Sequence, residues 1–91
     1  MPQMAEQILF SGHVQGVGFR WAAQRIASGL PVDGFVRNLS DRRVEIIISG
    51  TPDCIQRLID NLRERFGNGI TNVERRHVEI DESLSGFEIK R

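Results

Sequence analysis

The segment SGHVQGVGFRW, Ser11 to Trp21, holds Gly12, Gly16, Gly18 and Arg20 between an apolar run and a helix-like one. Glycine reaches backbone dihedrals that let successive N–H groups turn toward one point, and such a nest just ahead of a positive helix end binds anions. Arg20 adds a planar, permanently charged fork suited to two phosphate oxygens at once. The same glycines would serve equally well as a tight strand-to-helix turn with Arg20 at the surface. The spacing does not fit G-x-G-x-x-G, and the chain has no G-x-x-x-x-G-K-[ST], so a nucleotide site is not expected. Other groups able to do chemistry receive ordinary roles. His13 is read as a loop residue, His77 as a strand-face residue, Cys54 as a filler, and Trp21 and Phe35 as core or site-wall residues without a stacking platform.

The elements that must hold this loop follow from periodicity. EQILFSGHV alternates Ile8 and Phe10 against Leu9 and Ser11 and predicts a strand ending near His13. Phe19, Ala22, Ala23, Ile26 and Leu30 recur at helical spacing, closed by Gly29 and Pro31. DGFVRNLS and RRVEIIISG predict a hairpin, with Val44, Ile46 and Ile48 on one face. TPDCIQRLIDNLRERFGNG predicts a second helix with Thr51 as N-cap, Pro52 and Asp53 in its first turn, and an apolar stripe of Ile55, Leu58, Ile59, Leu62 and Phe66. TNVERRHVEID predicts a fourth strand, and GFEIKR a short last one with Phe87 and Ile89 facing inward.

The order β-α-β-β-α-β plus a terminal strand predicts an α+β fold, a ferredoxin-like split βαβ sandwich in which an antiparallel sheet carries two helices on one face. In that topology the end of the second strand, Asn38, returns to the sheet edge where the first strand exits and Arg20 lies. Two strand spacings, roughly 10 Å, then separate the loop from Asn38, room for a phosphate and a water. The pattern by itself is silent on function.

Composition narrows the classes. Residues 1–91 at 40% hydrophobic content fit a single domain. Twelve basic and twelve acidic residues cancel, which argues against nucleic acid as a partner, so any anion site must be local. Arg42 with Arg43, and Arg75 with Arg76, are read as solvated strand ends. Cys54 alone makes no internal disulfide, and no Cys/His spacing suits zinc, so a reducing compartment and no metal are expected. The start MPQMAEQ is too polar for a signal peptide, and no apolar run nears the roughly 20 residues of a membrane span. A cytoplasmic monomer is the expectation.

GHVQGVGFR followed by GFVRN resembles the acylphosphatases, whose signature is a G-x-V-Q-G-V-x-[FM]-R loop and a later G-[FWY]-[VA]-x-N. The resemblance extends over nearly the whole chain, including the closing GFEIKR. It implies a small metal-free, cofactor-free hydrolase that cleaves the carboxyl-phosphate bond of acyl phosphates, small molecules that would be its partners. On matching positions Arg20 corresponds to the phosphate-binding arginine, Asn38 to the water-positioning asparagine, and Gln15, Gly16, Val17, Gly18 and Phe19 to the backbone phosphate cradle. One departure stands out. The family often has glycine in the hairpin after the asparagine, whereas NLSDRRV has Arg42, so a different turn type or length is expected, with Arg42 adding positive potential near the substrate mouth.

The implied chemistry needs few residues. An acyl phosphate leaves as a carboxylate whose conjugate acid has a pKa of about 4, so no general acid has to protonate it. The competing reading is a non-catalytic ferredoxin-like module for ligand binding or regulation. An RNA-binding version would carry strand aromatics that RRVEIIISG lacks. The larger hydrogenase-maturation carbamoyltransferases begin with a similar module, and this chain is too short for one of those.

Overall fold

The computed structural model describes residues 3–91; residues 1 and 2, the first of the polar MPQMAEQ segment, lie outside the described residues. The elements run β1 (Met4–Gly12), α1 (Phe19–Ser28), β2 (Asp33–Asn38), β3 (Val44–Gly50), α2 (Pro52–Phe66), a short 3-10 turn (Gly67–Gly69), β4 (Ile70–Val78) and β5 (Phe87–Lys90). Period-two alternation puts Ile8 and Phe10, Val36, and Val44, Ile46 and Ile48 on one sheet face, all fully buried. α1 covers that face with Phe19, Ala22, Ala23 and Ala27, and α2 with Ile55, Leu58, Ile59 and Leu62. The alanines keep α1 close to the sheet, while the α2 stripe supplies volume. Phe66 is only partly buried against this core.

The helix-start signals act as read from the sequence. Thr51 Oγ1 accepts a hydrogen bond from the backbone N–H of Cys54 at 3.3 Å, Pro52 opens α2, and Asp53 sits in its first turn. Cys54 itself is partly buried against the core.

The strand order is β4-β1-β3-β2-β5. β3 pairs antiparallel with both β1 and β2, so those two point the same way, the split βαβ relation. In register, Phe10 lies opposite Val44 and Val44 opposite Asn38, one line across three strands. The antiparallel expectation fails at the last strand: β5 joins β2 in parallel, which makes the sheet mixed. The reason lies in the connection after β4. Residues 79–86 link one edge strand of the sheet to the other, a span of about 19 Å at the ordinary strand spacing. They are then fixed to the start of β2 by the Gly86 N–H donating to Asp33 Oδ1 and the Gly34 N–H donating to the Gly86 carbonyl, both at 2.8 Å. β5 therefore rises beside β2 and ends next to Asn38. Phe87 is buried as expected, but Ile89 is 37% exposed rather than inward, because it stands at the open end of the sandwich.

One arginine of each basic pair departs from the solvated reading. Arg75 donates from Nε and Nη2 to Glu6, at 2.8 and 2.9 Å, and from Nη1 to Gln56 Oε1 at 2.7 Å, joining β4, β1 and α2. Glu6 is buried on the helix-covered face, where an ionised carboxylate needs such a partner. This hydrogen bonding to Glu6 raises the Arg75 pKa. Arg43 stays at the surface but is tied to Asp41, donating from Nε to Oδ2 at 2.9 Å and from its backbone N–H to Oδ1 at 3.1 Å. The Arg43 side chain, then its backbone N–H, hold the Asp41 carboxyl below its ordinary 3.8.

Between these residues the hairpin keeps a left-handed position without glycine: Arg42 has φ 77°. The turn closes through the Leu39 N–H donating to the Arg43 carbonyl at 2.8 Å and the Arg42 N–H donating to the Leu39 carbonyl at 3.2 Å. The expectation of another turn type is thus replaced by a strained residue in a turn that would suit glycine.

Two stability measurements follow. Arg75→Ala strips Glu6 of its partner; with Arg75 itself 37% exposed, the loss should be about 2 kcal/mol, less than for a fully buried pair. Arg42→Gly relieves the left-handed strain but loosens the unfolded chain, for a net gain of about 0.5–1 kcal/mol. Urea unfolding of each variant reads both; an unchanged midpoint for Arg75→Ala, or a lowered one for Arg42→Gly, would contradict the respective account.

Candidate active site

β1 ends in a bulge between Ser11 and Gly12, where the Gly67–Gly69 turn crowds the backbone. A side chain at Gly12 would collide with the Gly69 carbonyl and the Thr71 backbone, and His13 donates its N–H to that carbonyl at 2.7 Å. The chain is thereby turned out of the sheet into the loop 13–18. Gly18, at φ 81°, is the N-cap of α1 and provides no side-chain cap; no acidic residue occupies the first turn. The orphan N–H groups and positive end of α1 are consequently not neutralised by a side chain. Gly16, at φ 76°, shares this conformation, and at both glycines a Cβ would meet no protein atom within 4 Å. Backbone dihedral, not crowding, calls for glycine there.

The loop is braced from one side and anchored from the other. Gln15 donates from Nε2 to the carbonyls of Leu39 at 2.9 Å and Arg43 at 3.0 Å, stapling the loop to the β2–β3 hairpin. Phe19 is buried, its ring 5.0 Å from Phe10 and 4.9 Å from Phe66 between centroids, which fixes the start of α1 in the core.

A cavity of about 200 Å³ opens in front of the loop, bordered by Gly16, Gly18, Arg20, Trp21, Asn38 and Ile89, with Val14 and Phe19 behind and Arg91 at its side. Two arginines and no aspartate or glutamate line it, so a chain of zero formal charge has a locally positive recess. Arg20 has no carboxylate partner among the described residues; its Nη1 makes one long contact, 3.5 Å, to the Lys90 carbonyl. Asn38 Oδ1 is buried without a hydrogen-bond partner, the one such side-chain atom among the described residues. An acceptor in that state is costly unless a water or ligand fills the bond.

Of the residues expected at the site, Arg20, Asn38, Gly16, Gly18 and Phe19 therefore border one cavity. Gln15 and Val17 do not line it: the Gln15 carboxamide is spent on the hairpin, and the Val17 side chain is turned to solvent. Arg42 lies with His13 and Gln15 around a neighbouring depression, not in the recess of Arg20 and Asn38. Trp21 is a wall residue, whereas Phe35 lies half-buried on the sheet face away from the helices, beneath the Lys90 ammonium at 4.3 Å. Ile89 was missed as a site residue because its alternation with Phe87 reads as core. The only available signal was its place just before the chain's last basic pair, which does not distinguish a core strand from a rim.

Similarity to known proteins extends over nearly the whole chain. The acylphosphatase family model matches residues 6–89. An acylphosphatase of Thermococcus kodakarensis is 40% identical over 91 residues, 98% of each chain. Among solved structures, an acylphosphatase from Coxiella burnetii superposes with a TM-score of 0.86 at 30% identity, covering 97% of this chain and 93% of that one. T. kodakarensis HypF superposes with a TM-score of 0.83 at 30% identity, but there the match covers 97% of this chain and only 12% of that one. A glycine loop before an uncapped helix, a free arginine and an unpartnered asparagine thus occur on a chain that belongs to the acylphosphatase family, hydrolases of acyl phosphates.

Proposed function

We propose that Arg20 and the main-chain N–H groups of the loop Gln15–Phe19 grip the phosphate of a small acyl phosphate, and that Asn38 holds the attacking water. What supports this most is that a single recess is bordered by the free Arg20 fork, by Gly16 and Gly18, and by Asn38 with its buried, unpartnered Oδ1. Gln15 and Val17 contribute to the cradle through their backbones alone.

The water donates one hydrogen to Asn38 Oδ1, which turns a lone pair toward phosphorus. Attack proceeds in line, the phosphorus–acyl oxygen bond breaks, and the departing group is a carboxylate that needs no proton. The water's remaining proton passes to a phosphate oxygen, giving inorganic phosphate. The transition state is loose, with charge spread over the equatorial oxygens, so Arg20 and the loop amides act by position and charge. Their positive potential is already present in the recess, and the chemistry calls for no metal or cofactor. Residues 1–91 act as one unit in this reading, as a monomer in the reducing cytoplasm, in keeping with the lone free Cys54.

Purified protein should release carboxylate from benzoyl phosphate in the presence of a chelator and leave p-nitrophenyl phosphate intact. Arg20→Ala should raise KM and lower kcat together, with kcat/KM down on the order of a hundredfold or more. Asn38→Ala should lower kcat by more than roughly tenfold with a small change in KM, as expected for a group that acts on the water. Retention of most of the wild-type kcat by Asn38→Ala would remove the asparagine from the mechanism.

A further inference from the structure

The recess contains apolar surface for which phosphate chemistry has no use. Val14 and Phe19 are each 1% exposed and belong to the core, and Gly16 and Gly18 have no side chain. The apolar lining side chains open to solvent are Trp21, 51% exposed, and Ile89, 37% exposed. They come from separate elements. Trp21 follows Arg20 in the first turn of α1, and Ile89 stands on β5 opposite Val36, two positions before Asn38 on the neighbouring strand.

The indole has two cationic neighbours. The guanidinium carbon of Arg25, one turn further along α1, lies 5.1 Å from its ring centre, and that of Arg65, in the last turn of α2, lies 5.7 Å away. Contacts from two helices narrow the range of the indole, which lowers the ordering cost of receiving a ligand. Neither Arg25 nor Arg65 has a carboxylate partner among the described residues, so both extend the positive potential of the recess toward the indole. An exposed aromatic at the rim of a concave polar site is a ligand contact in form.

In-line attack places the acyl group on the side of phosphorus opposite the water. With the glycine loop and Arg20 assigned to phosphate and Asn38 to water, the lining residues left over are the apolar Trp21 and Ile89 and the charged Arg91. We propose that Trp21 and Ile89 form the acyl-group site, with Trp21 as the wall on which a planar, apolar acyl group lies, making this chain selective for aromatic over small aliphatic acyl phosphates. The inference rests on the assignment of Arg20 and Asn38 given above. Trp21 is a specificity residue in this scheme: it touches the leaving group and takes no part in bond making. An acetyl group has only a methyl to offer the indole, whereas a benzoyl ring can stack offset upon it.

The test compares benzoyl phosphate with acetyl phosphate on wild type, Trp21→Ala and Trp21→Phe. Trp21→Ala should lower the benzoyl-to-acetyl ratio of kcat/KM by roughly five- to tenfold, mostly through KM for the benzoyl compound, and Trp21→Phe should keep most of the ratio. Trp21 is the one tryptophan of the chain, so its emission gives a readout free of turnover. A benzoylphosphonate, which is not hydrolysed, should shift or quench that emission, and inorganic phosphate should do so far less. A ratio in Trp21→Ala within about twofold of wild type, or equal responses to the two ligands, overturns the acyl site while leaving the phosphate and water assignments standing. Failure of the wild type to hydrolyse either substrate overturns those assignments and this inference with them.

Discussion

The pairing of β3 with both β1 and β2 is the constraint on which the site depends. Because β3 runs between them, the exits of β1 and β2 come to the same end of the sheet, and the register that sets Phe10 and Asn38 on either side of Val44 brings the asparagine level with the end of β1. The hydrogen bonds of these two ladders, together with the buried faces of Ile46 and Ile48, fix that level. A slip by one residue would turn the whole apolar face of a strand outward. The separation between loop and asparagine is therefore set by the most heavily buried part of the molecule.

Onto this frame the chain adds local braces where loops would otherwise move. Gln15 links the loop 13–18 to the β2–β3 hairpin through the Leu39 and Arg43 carbonyls, so the segments bearing Gly16 and Asn38 are connected directly as well as through the sheet. Phe19, clasped by Phe10 and Phe66, anchors the first residue of α1 and with it the direction of the neighbouring Arg20. Glu6 and Arg75 close the opposite end of the core, where α2 meets β1 and β4. On the uncovered sheet face, buried Glu45 receives Arg37 Nε and Gln7 Nε2, each at 2.6 Å. Arg37, Arg43 and Arg75 are thus paired with carboxylates, whereas Arg20 is not. Net neutrality and a positive recess coexist because no aspartate or glutamate borders the recess.

Two features run against stability and sit close to the site. Arg42 holds a left-handed conformation in the hairpin that follows Asn38, and Asn38 Oδ1 is buried without a partner. The second is the acceptor to which the proposed mechanism assigns the attacking water. The first has no such role: Arg42 faces the neighbouring depression, and nothing in the recess explains why glycine is absent there.

Much of this was legible from sequence. Strand and helix identities came from period-two and period-3.6 burial, the α2 start from Thr51, Pro52 and Asp53, and the loop from glycines whose positive φ at Gly16 and Gly18 is a local property of the backbone. The likeness of GHVQGVGFR and GFVRN to a known signature singled out Arg20 and Asn38. Other features depended on contacts between residues far apart in the chain. Glu6 meets Arg75 only because β1 and β4 are neighbours, Gln15 reaches the hairpin only because the loop folds beside it, and β5 chooses the β2 edge through Asp33, Gly34 and Gly86. Ile89 shows the difference most clearly, since the same alternation that buries Phe87 leaves it at the rim. Sequence determined which residues form each element and which side of it is apolar, because those depend on neighbours a few positions away. Tertiary structure alone decided which edge the last strand joined, and so which side chains border the recess, because hydrogen bonds between distant segments select among pairings that local patterns leave equivalent.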